Sequence, residues 1–253
     1  MNKDYVTLNI NNEIGEIEFF STHHNALPGK ILEELTHKII EASNNNKVKV
    51  IILRSAGNRT FCAGASFDEL IAIETKEQGL QFFSGFAHVI NAIRTSPKFI
   101  IGSVQGKAVG GGVGLACSCD YTLATKYADI KLSELAVGIG PFVVGPAVER
   151  KIGTQAAYEL AIDASNFRTA QWAKEKGLYV TLYDTIEELI EAVYDFAKKL
   201  ATQNPEAMAE IKKAFWSGTE HWNELLLERA AISGKLVLSD FTKKFIQTFK
   251  EKK

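Results

Sequence analysis

The sequence predicts an α/β protein in which parallel strands and helices alternate through a layered core and the last third turns wholly helical. Three observations carry this. Apolar runs of strand length at residues 48–53 and 99–104 are separated by stretches with helical apolar spacing. A loop rich in small residues comes after each run, at residues 61–66 and 110–114. Beyond Gly145 the strand-like runs give way to successive helical patterns. Strand and helix in alternation argue for parallel strands in a layered core.

Residues 5–20 alternate apolar and other residues around Gly15, as two short strands joined by a turn would. From 28 to 43, Ile31, Leu32, Leu35, Ile39 and Ile40 recur at helical spacing, with Pro28 near the start, where its missing N–H is harmless. Residues 48–53 are apolar apart from Lys49 and suit a strand covered on both faces. A helical stretch near 78–94 leads to Pro97 and the strand 99–104. The glycine cluster, a helix at 112–119 and a strand near 121–124 come next. Helices are expected at 147–152, 155–162, 169–176, 186–202, 205–216 and 222–238. With no structureless linker before it, this helical part should pack on the core or on a neighbouring subunit.

At 253 residues and 46% apolar composition the chain can bury a sizeable core. A net charge of -1, with Lys and Arg spread along the sequence, gives no broad basic field, so nucleic acid and anionic membranes are poor partners. The polar N-terminus does not read as a signal peptide, and no apolar stretch is long enough to span a bilayer. Cys62, Cys117 and Cys119 are too few, and odd in number, for a disulfide framework. A cytoplasmic location is therefore expected. No metal site is expected either: Cys117 and Cys119 point about 200° apart on a helix, and the histidines are scattered without an H-E-x-x-H motif.

Chemistry is concentrated in the two loops, Phe61-Cys62-Ala63-Gly64-Ala65-Ser66 and Gly110-Gly111-Gly112-Val113-Gly114. A strand-to-helix turn of small residues leaves amide N–H groups free at a helix start, where the helix dipole also favours negative charge. Glycine lets a ligand oxygen approach the backbone. The usual anion motifs fail. G-x-G-x-x-G would need glycine at Leu115 or Cys117, residues 102–107 are one short of a P-loop with Ala108 following, and no G-x-S-x-G elbow occurs. On spacing alone, the glycines could also serve only tight turns and close helix packing.

Phe61-Cys62-Ala63-Gly64-Ala65 resembles the first oxyanion-hole loop of the crotonase superfamily, the enoyl-CoA hydratase/isomerase family, and Gly106-Lys107-Ala108-Val109-Gly110-Gly111-Gly112 resembles its second. His24-Asn25-Ala26-Leu27, Ser96-Pro97-Lys98-Phe99-Ile100, the segment from Leu132 to Ile139, residues 170–178 and the terminal Phe249-Lys250-Glu251-Lys252 are similar as well. The resemblance covers nearly the whole chain. It implies a crotonase-like layered ββα spiral core over residues 1–195 and a helical C-terminal trimerisation region over 196–253. The assembly would be a homotrimer or a dimer of trimers, acting on an acyl-CoA thioester, with no cofactor beyond the coenzyme A of the substrate.

Carried over, the oxyanion hole is the N–H groups of Ala65 and Gly111, which stabilise charge developing on a thioester oxygen more than they stabilise the neutral carbonyl. Ala63 would line the adenine end of CoA and the loop around His24 its pantetheine and phosphate path. Gly64, Gly110, Phe142 and Phe249 complete the expected substrate contacts. The family's second glutamate aligns with Glu134. Its first would stand three residues after the oxyanion glycine, nearly one helical turn on, and here that position is Gly114. Hydration divides water activation and proton delivery between two carboxylates. Moving a double bond asks for one, taking a proton from C2 and returning it at C4. The expectation therefore leans to Δ3,Δ2-enoyl-CoA isomerisation, with enoyl-CoA hydration (including branched-chain or methylglutaconyl-type) or a non-catalytic acyl-CoA binder as alternatives. Asp68 and Glu69 read as a solvated helix start, Glu149 with Arg150 as an ion pair and Asp120 as structural.

Overall fold

The protein is represented by a computed structural model that describes residues 4–251, with side chains to residue 248. Strands β1 (Tyr5–Asn11) and β2 (Ile14–Phe20) form the expected hairpin. Its turn, however, is Asn12-Glu13, both at positive φ, and not the region of Gly15. Gly15 lies inside β2, where a Cβ would come within 3.1 Å of Val48. The chain continues through α1 (Gly29–Asn44), β3 (Val50–Ser55), β4 (Thr60–Cys62), α2 (Phe67–Leu70), α3 (Lys76–Thr95) and β5 (Phe99–Val104). Then come β6 (Lys107–Val109), α4 (Gly111–Ser118), β7 (Tyr121–Thr125), β8 (Ile130–Lys131) and a single 3-10 turn, Leu135–Val137. The remainder is α5 (Gly145–Ile152), α6 (Thr154–Ile162), α7 (Ala170–Glu175), β9 (Thr181–Tyr183), α8 (Ile186–Ala201), α9 (Pro205–Phe215), α10 (Trp222–Leu236) and α11 (Asp240–Glu251).

Two sheets make the layers. The larger runs β1-β2-β3-β5-β7-β9 and is parallel except for the hairpin. The smaller, β4-β6-β8, is parallel throughout. Alternation along β3 splits its side chains between two cores, as the strand repeat requires. Ile51 and Leu53 face the main core with α1 and α3, whereas Val50 and Ile52 meet Leu189, Val193 and Ala197 of α8. The smaller sheet escaped sequence reading because strands of two or three residues carry no periodicity. Strand β9 and helix α11 were also missed.

The helical part belongs to the same body. The expected division at 195/196 falls inside α8, whose Leu189, Val193, Ala197 and Ala201 form one continuous apolar stripe on the sheet. Helix α10 crosses α3 so closely that a Cβ on Gly79 would lie 2.7 Å from the Cα of Gly234. Helix α9 is anchored by Lys212, 2% exposed, whose ammonium donates to Asp120 Oδ2 at 2.8 Å and to the carbonyls of Ile93 and Lys98. Asp120 also accepts from Trp216 Nε1 and from the Ile100 N–H. Its expected structural role is explicit in these three bonds, and burial pushes the Lys212 pKa down. Glu149 and Arg150 do not pair. Glu149 accepts from Thr154, and the Arg150 guanidinium stands over the Trp216 ring.

Candidate active site

The two loops meet at the ends of β4 and β6, neighbours in the smaller sheet. The first is strapped down by backbone bonds: Leu27 N–H donates to Gly64 O at 2.8 Å, Ser66 N–H to Leu27 O at 3.0 Å and Ala63 N–H to Asn25 O at 3.3 Å. The Gly64 N–H reaches the Cys62 sulfur at 3.4 Å. Gly64 has φ +92°, a conformation that suits glycine and turns the chain so that the Ala65 N–H has no acceptor among the described residues. On the other side Gly110 has φ +52° and precedes α4, leaving the Gly111 N–H as an orphan donor of the first helical turn. A Cβ built on Gly64 would lie 3.6 Å from the Gly111 nitrogen, so the two donors belong to one small space.

Glu134 completes it. Gly110 N–H donates to Lys131 O at 2.8 Å, which draws the chain leading to Glu134 alongside the second loop. The carboxylate Oε1 lies 3.0 Å from where a Gly110 Cβ would stand, so only glycine leaves it room. Although the residue is half-buried as a whole, its carboxyl end is enclosed, and Oε2 has no hydrogen-bond partner. Burial pushes the pKa up to about 7, opposed only by its own backbone N–H. A buried acceptor with an open lone pair and a pKa near neutrality has the properties of a proton carrier.

All three groups line one cavity of about 380 Å³. Ala63, Gly64, Gly110 and Phe142 line it too. His24 does not: it sits with positive φ on a separate shallow groove beside Arg59 and Thr60, and its neighbour His23 faces the cavity instead. Two successive left-handed residues, His24 and Asn25, turn the loop at that point. Phe249 lies at the end of α11, and its side chain is outside the described residues. Asp68 does line the cavity, which its placement at a helix start had not suggested, whereas Glu69 accepts from the Gly29 N–H and ties α2 to α1. Sequence reasoning missed Phe86, an apolar residue like any other until the fold points it inward; Val143 and Val144, in a segment whose sequence reads as reshaping the acyl pocket, line the cavity beside it.

The absent second carboxylate has a structural counterpart. A Cβ on Gly114 would lie 2.5 Å from Val144 Cγ1 and 2.7 Å from Val144 Cβ, so valine already fills the space a side chain there would need. In the first loop, Cys62 is fully buried with its thiol pushed up to about 12 by burial, and Cys117 and Cys119 are buried likewise, so all three are inert apolar groups.

The enoyl-CoA hydratase/isomerase family model matches residues 9–253. A methylglutaconyl-CoA hydratase from Mus musculus is 33% identical over 224 residues, covering 87% of this chain and 68% of that protein. A short-chain-enoyl-CoA hydratase from Clostridium acetobutylicum is 31% identical over 197 residues, covering 78% and 74%. Among solved structures, an enoyl-CoA hydratase from Bacillus anthracis matches with a TM-score of 0.78 at 27% identity, covering 98% and 96%. An enoyl-CoA hydratase from Bacillus halodurans has a TM-score of 0.89 at 23% identity, covering 96% and 99%, a likeness of fold. Among the described residues no helix is long and apolar enough to cross a membrane.

Proposed function

The chain belongs to the enoyl-CoA hydratase/isomerase family, and from that premise we propose that it stabilises a thioester enolate between the Ala65 and Gly111 N–H groups while Glu134 carries the proton. The thioester oxygen sits between the two donors. Charge that develops there in the transition state meets dipoles already in place, each worth roughly 3 kcal/mol of barrier. Glu134, whose pKa burial raises towards neutrality, takes a proton from C2 of a 3-enoyl thioester in its ionised form, the dienolate is held, and the proton returns at C4.

The observation that carries isomerisation is Val144 standing in the space beside Gly114. A site with one enclosed carboxylate serves a single shuttled proton better than the paired work of adding water. Hydration is the second reading, favoured by the names of the relatives and by Asp68 on the same cavity. Incubation with 3-enoyl-CoA and 2-enoyl-CoA thioesters separates the two. Turnover of the first supports isomerisation, and hydration of the second without turnover of the first excludes it. The same reading carries a cytoplasmic protein and a homotrimer or dimer of trimers.

A further inference from the structure

The charge of the cavity is one-sided. The carboxylates facing it are Glu134 and Asp68, His23 is its other ionisable side chain, and neither Lys nor Arg lines it among the described residues. Most of the remaining wall is hydrocarbon: Phe86, Ile139, Val143 and Val144 are all buried, and Phe83 and Phe142 are half-buried. The neutral polar side chains that interrupt it are the hydroxyls of Ser66, Ser133 and Ser233, the last on α10 and 1% exposed.

An acyl group whose far end carries a second carboxylate would have to place that anion against this wall. It would lose its hydration there without gaining a cationic partner, and would share the space with an ionised Glu134. A hydrocarbon end instead gains by leaving water. Val144 sharpens the effect, because in filling the place of a Gly114 side chain it adds apolar surface where a polar group would otherwise stand. We infer that the cavity selects acyl thioesters ending in hydrocarbon and excludes those of dicarboxylic acids. This inference rests on the acyl-CoA reading above and narrows its substrate class.

Equilibrium binding of two unreactive thioesters, butyryl-CoA and glutaryl-CoA, to the full chain at about pH 8 tests it, since Glu134 is then ionised. Butyryl-CoA should bind tighter by at least about tenfold, and the gap should narrow in Glu134→Gln, which keeps the shape and removes the charge. Equal or tighter binding of glutaryl-CoA overturns the inference while leaving the acyl-CoA reading in place. Binding of neither thioester, with free CoA also failing to bind, overturns that reading and the inference with it. A gap untouched by Glu134→Gln overturns the part assigned to charge.

Discussion

Val144 occupies the space that a side chain on Gly114 would need, its Cγ1 standing 2.5 Å from the position of the missing Cβ. The two residues lie on different elements, α4 and the segment that leads into α5, and both are buried. A larger residue at position 114 therefore needs a smaller one at position 144.

A first prediction follows from this pair. Gly114→Ala overpacks the contact and should lower stability by about 1–3 kcal/mol. Adding Val144→Ala should recover most of the loss, giving a coupling term in a double-mutant cycle read by thermal or urea unfolding. Additive effects would mean that the contact is not the cause.

The charge state of Glu134 gives the second. Its pKa is raised from 4.5 to about 7 by burial, so the folded chain prefers the protonated form. The associated stability is full below the unfolded value, and roughly 3 kcal/mol of it is lost as pH rises through the folded value. Unfolding free energies at about pH 5 and about pH 8 should therefore differ more in the native sequence than in Glu134→Gln.

Catalysis runs the other way with pH, because the base must be ionised. The isomerisation rate should rise through about pH 7 and level off, and Glu134→Gln should lower kcat by about 10² to 10⁴ with the folded structure intact. A pH-independent rate in the native protein would remove Glu134 from the proton transfer.

Gly111 supplies an N–H with a neighbour directly behind it: a Cβ there would fall among the ring atoms of Phe86. Gly111→Ala should shift the donor and reduce kcat by roughly 10²-fold or more, with a smaller change in KM. The additional change Phe86→Leu should restore stability before it restores kcat. A raised KM at unchanged kcat would assign Gly111 to ground-state binding instead.

The ion pair between Lys212 and Asp120 ties α9 to the core at a site where the lysine is 2% exposed. Asp120→Ala leaves a buried ammonium with only carbonyl partners, and should cost roughly 3–5 kcal/mol in urea unfolding. A loss under about 1 kcal/mol would show that solvent reaches the ammonium in solution.

Much of this molecule was legible in its residues. Strand β5 and helices α1, α3, α8 and α10 stood out because a buried strand or an amphipathic helix of several turns repeats its pattern often enough to be read. The smaller sheet did not, although it is what brings the two loops together, since β4, β6 and β8 are too short to show a period. The hairpin turn was misplaced by two residues because Asn12 and Glu13 take up positive φ, while Gly15, the obvious candidate, is small for the sake of Val48.

For the site the division is similar. The sequence by itself, through its resemblance to the family's motifs, singled out Ala65, Gly111 and Glu134 for one expected site, because glycine-flanked amides and a carboxylate in fixed motifs are local features of the chain. It also showed that Gly114 carries no carboxylate. Only the tertiary structure decided that Val144 fills the resulting space, that Asp68 and His23 line the cavity while His24 lines a separate groove, and that most of the cavity wall is hydrocarbon. Those are relations between residues far apart in sequence. They depend on packing distances and on which way each backbone turns, and neither is written in the identity of any single residue.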